Sequence, residues 1–209
     1  MPQPQFAPEL IFAWVFVILL GSAMAVATWF DLRYMIIPKQ VSVATFVAGL
    51  VVNAVRGFWL GSLGLPTWQL SPAGPWLGAL DGLLFSLAGF ALAFGIFFVM
   101  WILGTAGGGD VKQFAAVGAW VGPLWTIYLL AVTAVFVAVI AFGVICYRFF
   151  RRGVRGMVPQ GGPRQGGRSS ESRLKVAQGR RVGWALPATA AVLVVLLWVL
   201  RSELGLRGL

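Results

Sequence analysis

Five stretches of about twenty apolar residues constrain this chain more than anything else in it: Leu10 to Trp29, Val41 to Leu60, Leu83 to Leu103, Leu124 to Tyr147 and Val182 to Leu200. A hydrocarbon core about 30 Å thick takes about 20 residues of α-helix to cross. Only a helix or a closed barrel pairs its own backbone N–H and C=O groups where there is no water. Runs this long predict helices. A sixth run, Val111 to Val121, ends at Gly122-Pro123 and is short for a crossing unless it lies in a thin or protein-lined region. The expected fold class is therefore all-α, a polytopic membrane protein with about six transmembrane helices. The first run has the small-x-small pattern of a signal-peptide cleavage site at Ala23-Met24-Ala25, but Glu9 precedes it and no positive charge does, which points to a retained helix.

Composition narrows the chemistry. Hydrophobic residues make up 59% of the chain and charged ones 11%, against about 25% charged in a typical soluble domain. There is no histidine and one cysteine, Cys146. That excludes disulfides, Cys/His zinc clusters, Ser-His-Asp triads and Cys-His dyads, so no metal and no cofactor is expected. Carboxylates, hydroxyls, lysines and backbone remain. Cys146 lies in an apolar run and reads as a small packed hydrophobe.

The net charge of +10 is unevenly placed, with ten of sixteen basic residues between Arg148 and Arg181. In the six-span arrangement Arg33, Lys39 and Lys112 fall on the same side as these ten, and only Arg56, Arg201 and Arg207 on the other. The richer side belongs in the cytoplasm, with both termini outside. A five-span arrangement, with residues 104 to 123 re-entrant, would set the basic stretch opposite Arg33 and Lys39. The chain reads as one polytopic domain over residues 1–209, and nucleic acid is not expected as a partner. Its basic loop, residues 148–181, mixes Arg with Gly, Pro, Gln and Ser and is expected to be disordered. That loop suits anionic lipid headgroups, or serves as a topology signal alone. Gly57 to Pro75 reads as an external linker, and Trp29, Trp59, Trp76, Trp101, Trp120, Trp125 and Trp184 as interfacial anchors. Gly82 with Ser86, and Gly118 with Gly122, have the small-xxx-small spacing that lets helix backbones approach.

Only six acids occur: Glu9, Asp31, Asp81, Asp110, Glu171 and Glu203. The topology puts Asp31 and Asp110 at the cytoplasmic face and Asp81 near the outer one. Asp110 suits a helix N-cap as well as a functional role. Asp31 follows a helix, where the dipole gives a carboxylate nothing, although a pair with Arg33 is open to it. Asp81 reads as an N-cap only. Gly107-Gly108-Gly109, just before Asp110, allow unusual dihedrals and close approach of a second chain. No Gly-Lys-Ser/Thr follows, and the acid would repel a phosphate, which argues against nucleotide binding.

Two carboxylates on one membrane face, the second in Gly-x-Gly-Asp, resemble the active site of the membrane aspartyl peptidases, and in detail that of the prepilin peptidases, the type IV leader peptidases. The resemblance rests on Asp31-Leu32-Arg33 with Ile37-Pro38, and on Gly107-Gly108-Gly109-Asp110-Val111-Lys112 running into Ala115 to Gly122. Leu186-Pro187-Ala188 resembles the family's last span. Lys39 stands where the family commonly has Asn, and Gln113 where Leu is usual. Presenilins and signal peptide peptidases share Gly-x-Gly-Asp but have a larger bundle and Tyr before the first aspartate, where this chain has Phe30.

The resemblance implies Asp31 and Asp110 as a catalytic pair sharing one proton. Gly107, Gly108, Gly109 and Lys112 would then support the substrate or the backbone. The implied substrate is a type IV pilin-like precursor, and the implied location the bacterial cytoplasmic membrane with the site facing the cytoplasm. The compact form is similar to enzymes serving Tad/Flp-type pili. It lacks the cysteine-rich insertion that accompanies N-methylation in bifunctional members, so no methyltransferase activity is expected. The alternative is a small transporter or assembly subunit in which Asp31 and Asp110 bind cations or relay protons. That role needs acids deep in the bundle, where the sequence has none.

Overall fold

The computed structural model of the protein describes residues 6–34, 36–70, 74–104, 106–152 and 185–200. Every regular element among them is a helix: α1 Leu10–Tyr34, α2 Lys39–Ser62, α3 Pro75–Ile102, α4 Gly108–Arg152 and α5 Ala185–Leu200. Among the described residues, four helices are long and apolar enough to cross a membrane, and the apolar part of α5 is shorter, at Ala188–Trp198. The surface fits that solvent, with Ile11 72%, Ile18 62%, Val139 63% and Phe142 68% exposed. The two expected runs on either side of Gly122-Pro123 form two helical arms. Val111 to Val121 and Leu124 to Tyr147 lie on one helix, α4, broken at Gly122. Of the basic loop, residues 153–181 lie outside the described residues, and 148–152 continue α4.

The break has a local cause and a tertiary remedy. Gly122 has φ 76° and ψ 177°, in the left-handed region that glycine alone enters at little cost, and a Cβ there would run into the Phe85 ring. Pro123 has no N–H to offer the Ala119 carbonyl one turn back. That carbonyl instead accepts from Asn53 Nδ2 at 2.9 Å and Ser86 Oγ at 2.7 Å, while the Trp120 carbonyl accepts from Asn53 Nδ2 at 3.0 Å. One residue of α2 and one of α3 thus hold α4 at its weakest point.

Glycine contacts bring α2, α3 and the first arm of α4 together. A Cβ on Gly57, Gly78 or Gly82 would strike backbone of the facing helix, and the same is true between Gly89 and Gly118. Lipid gives helices no hydrophobic reason to associate, so close backbone packing and interhelical hydrogen bonds of about 0.6 kcal/mol each do most of the holding. Both small-xxx-small pairs read from sequence lie in these contacts. The first arm of α4 runs through the middle of the bundle. From Gln113 to Gly122 every residue is buried, which answers how so short a run is accommodated.

Packing partners give the helix directions. Phe12 meets Trp59, Phe97 stacks on Phe114 at 4.1 Å, Ser42 bonds Gln113, and Thr28 bonds Thr189. Hence α1 and α3 run one way, and α2, the first arm of α4 and α5 run the other. One end of the bundle therefore gathers the end of α1, the starts of α2, α4 and α5, and the end of α3.

The structure corrects four readings of the sequence. Asp81 is not an N-cap: α3 is capped at Gly74, with Pro75 in its first turn, and Asp81 lies further along the helix. Its fully buried carboxylate accepts from the Thr67 hydroxyl and from the backbone N–H groups of Trp68 at 2.6 Å, Gln69 at 3.1 Å and Leu70 at 3.2 Å. The supposed linker is thus partly helix, through Ser62, and partly a loop wrapped on this carboxylate. Trp120 is no interfacial anchor. It is 1% exposed and donates its indole N–H to the Thr45 carbonyl at 2.6 Å. Arg56, counted with the outer loop, is a buried residue of α2 with its guanidinium 4.4 Å from the Phe6 ring and 4.5 Å from that of Phe85.

Candidate active site

Asp31 stands near the end of α1, 8% exposed, while Leu32, Arg33 and Tyr34 after it are exposed. A helix C-terminus does not stabilise a carboxylate, so the dipole does not explain this burial. Arg33, two residues on, packs against aromatic rings. The guanidinium lies over Trp29 at 5.5 Å and Tyr34 at 5.8 Å, a cation–π cluster at the membrane boundary, where its charge also suits the helix end.

Asp110 starts α4 from the third helical position, not from the N-cap. Gly107 is the residue before the helix, and the Asp110 carboxylate reaches back to accept the Gly107 N–H at 3.1 Å, as the acid of a capping box does. The three glycines do not adopt unusual dihedrals; among the described residues the positive φ angles lie at Gly64, Gly74, Gly104 and Gly122. Absence of side chains is what Gly107 to Gly109 provide. A Cβ on Gly107 would stand 2.9 Å from Asp110 Oδ2, whereas one on Gly109 would meet only Ile37, at 3.8 Å. Lys112 is exposed between buried Val111 and Gln113, on a different face from Asp110.

Beside Asp110 is a cavity of about 10 Å³ lined by Met24, Ile37, Asp110, Gln113, Phe114, Val117 and Ala188. That is room for about one water. Asp31 is not among its walls. The two aspartates are brought to the same end by their helices. Met24 accepts a hydrogen bond from Gln113 at 3.6 Å, and from this level Asp31 lies about 10 Å further along the same face of α1. Asp110 lies one turn nearer that end of α4. The sequence reading treated Gln113 only as a departure from a pattern. A carboxamide one turn after Asp110 in an otherwise apolar helix was the available signal.

The described residues thus form a helical bundle with a buried aspartate and a helix-start aspartate at one end, the latter beside a water-sized cavity. The type IV leader peptidase family's sequence signature matches residues 18–142, more than half of the chain, and the chain belongs to that family. It is thus a membrane-embedded protease of the leader-peptidase kind. The matched region contains Asp31, Gly107 to Gly109, Asp110 and Lys112. No curated protein and no solved structure matches the chain.

Proposed function

We propose that Asp31 and Asp110 are the catalytic pair of an aspartic endopeptidase that removes the leader from type IV pilin-like precursors at the cytoplasmic face of a bacterial inner membrane. The observation carrying this is an elimination. Of the aspartates within the family match, Asp81 is at the opposite end of α3 with its carboxylate taken up by four donors, which leaves Asp31 and Asp110 at a common end. With one carboxyl ionised and one protonated, the ionised group takes a proton from water as the oxygen attacks the scissile carbonyl carbon, and the protonated group donates to the carbonyl oxygen. Collapse of the tetrahedral intermediate breaks the C–N bond and sends a proton to the leaving amine. Gly107 leaves room for the Asp110 carboxylate, Gly108 and Gly109 support the backbone that enters α4, and exposed Lys112 faces precursor or headgroups. The activity does not extend to N-methylation of the product.

The deciding experiment follows shortening of a pilin-like precursor in membranes holding equal amounts of wild type, Asp31→Asn, Asp110→Asn and the double variant. All three variants are expected to be inactive to a similar degree, because both carboxylates act on one water. Normal cleavage by either single variant would defeat the assignment. Six crossings and a cytoplasmic site also require a reporter fused at Gly162 to read cytoplasmic and one fused after Leu209 to read external.

A further inference from the structure

Gln113 is 3% exposed and has an amide whose orientation is fixed at one end only. Its Oε1 accepts from Ser42 Oγ at 2.9 Å, which turns Nε2 the other way, toward α1 and the cavity beside Asp110. There the sole acceptor for Nε2 among the described residues is the Met24 thioether, at 3.6 Å. A carboxamide nitrogen carries two hydrogens and a thioether is a weak acceptor, so a buried donor is left poorly satisfied. Such a group is costly in an apolar surround, and for the same reason an acceptor oxygen reaching it is bound strongly. Of the other walls, Ile37, Phe114, Val117 and Ala188 have no side-chain acceptor, and the Asp110 carboxylate, which accepts the Gly107 N–H, borders the same space without a hydrogen bond to Nε2.

We propose that Gln113 is a substrate-binding residue, donating its Nε2–H to a backbone carbonyl oxygen of the extended precursor next to the scissile bond. The inference rests on the aspartyl reading of this site. Size is compatible with that ligand: the space of about 10 Å³ has room for about one water-sized oxygen. A peptide carbonyl or a water has the right chemistry, and Ser42, which orients the amide, is a positioning residue.

The test uses the full-length protein in lipid nanodiscs and precursor peptides in which one backbone carbonyl at a time, around the cleavage site, is replaced by a thioamide, whose sulfur accepts hydrogen bonds poorly. Wild type is expected to lose about tenfold in kcat/KM at one position. Gln113→Met, which keeps the shape and lacks the donor, is expected to raise KM about tenfold on the ordinary peptide and to show no further loss at that position. Ser42→Ala, which leaves the amide in place but unanchored, is expected to shrink the position-specific loss and serves as the second variant should Gln113→Met fold poorly. If no thioamide position couples to Gln113 or Ser42, the oxygen bound is water or none, and the proposal is overturned. Asp31→Asn and Asp110→Asn are assayed alongside. Their inactivity with no Gln113 coupling refutes this inference alone, whereas normal cleavage by either refutes the aspartyl reading and the inference with it.

Discussion

Asp81 and Asp110 are two aspartates of one small bundle, and their surroundings could hardly differ more. Asp81 has no exposed surface and gathers a hydroxyl and three backbone N–H groups from residues Thr67 to Leu70. An ionised carboxylate has about four lone-pair directions, and here protein donors take them up. Asp110 is half-buried, receives the N–H of Gly107, and borders a cavity with room for about one water. Rarity of acids in a membrane chain thus marks importance without saying of what kind. The four donors around Asp81 mark a residue that ties a loop down, whereas Asp110 is, in the function proposed above, a residue that meets a ligand.

That contrast is most sharply broken or upheld by exchanging each carboxylate for its amide. Asp110→Asn is expected to lower precursor cleavage on the order of a thousandfold, the scale of a lost general acid or base. Its thermal unfolding should stay close to wild type, because the amide oxygen still accepts from Gly107. Asp81→Asn is expected to do the reverse. Its NH₂ would face N–H groups that need an acceptor, so stability should fall by roughly 3 kcal/mol in denaturation measurements, while cleavage per folded molecule persists. An Asp81→Asn protein that is fully stable yet inactive would erase the distinction. A smaller effect tests how closely the Asp110 carboxylate is placed. Gly107→Ala puts a methyl 2.9 Å from Oδ2 and should lower kcat/KM by about tenfold to a hundredfold through displacement of that group. Gly109→Ala should change it by less than about threefold, since its methyl meets only Ile37 at 3.8 Å. Equal losses at the two glycines would mean that the precursor, and not Asp110, needs the space.

What the sequence made legible, it did through solvent. Lipid permits few structures, so α1, α2 and α3 lie close to where their apolar runs put them, and Gly122-Pro123 announced a break by its own chemistry. What it hid depends on partners distant along the chain. The donors to Asp81 come from a loop on the far side of Gly74, so local context suggested a cap that does not exist. Trp120 sits at the end of an apolar run, like an interfacial indole. Its run is central, though, and the indole points at the Thr45 carbonyl of α2. Arg56 looked like a loop charge because charge is rare inside a membrane helix, and the rings of Phe6 and Phe85 that receive it are 50 and 29 residues away. Asp31 and Asp110 were singled out by type and by side of the membrane, and the helix directions read from packing bring them to the same end of the bundle.

The burial of α4 from Gln113 to Gly122 bears on how the protein responds to its host membrane. Mismatch between a helix and its bilayer is relieved by tilting or by local deformation of lipid, at fractions of a kcal/mol per Å, and it acts on surfaces that lipids touch. The outer faces of α1, α2 and α3 are such surfaces; the arm that carries Asp110 has none between Gln113 and Gly122. Changes in acyl-chain length therefore reach the stretch from Gln113 to Gly122 second-hand, through helices locked to it at Gly89, Asn53 and Ser86 and through the exposed second arm of α4. The lipid-contacting α1 transmits them to Asp31 directly.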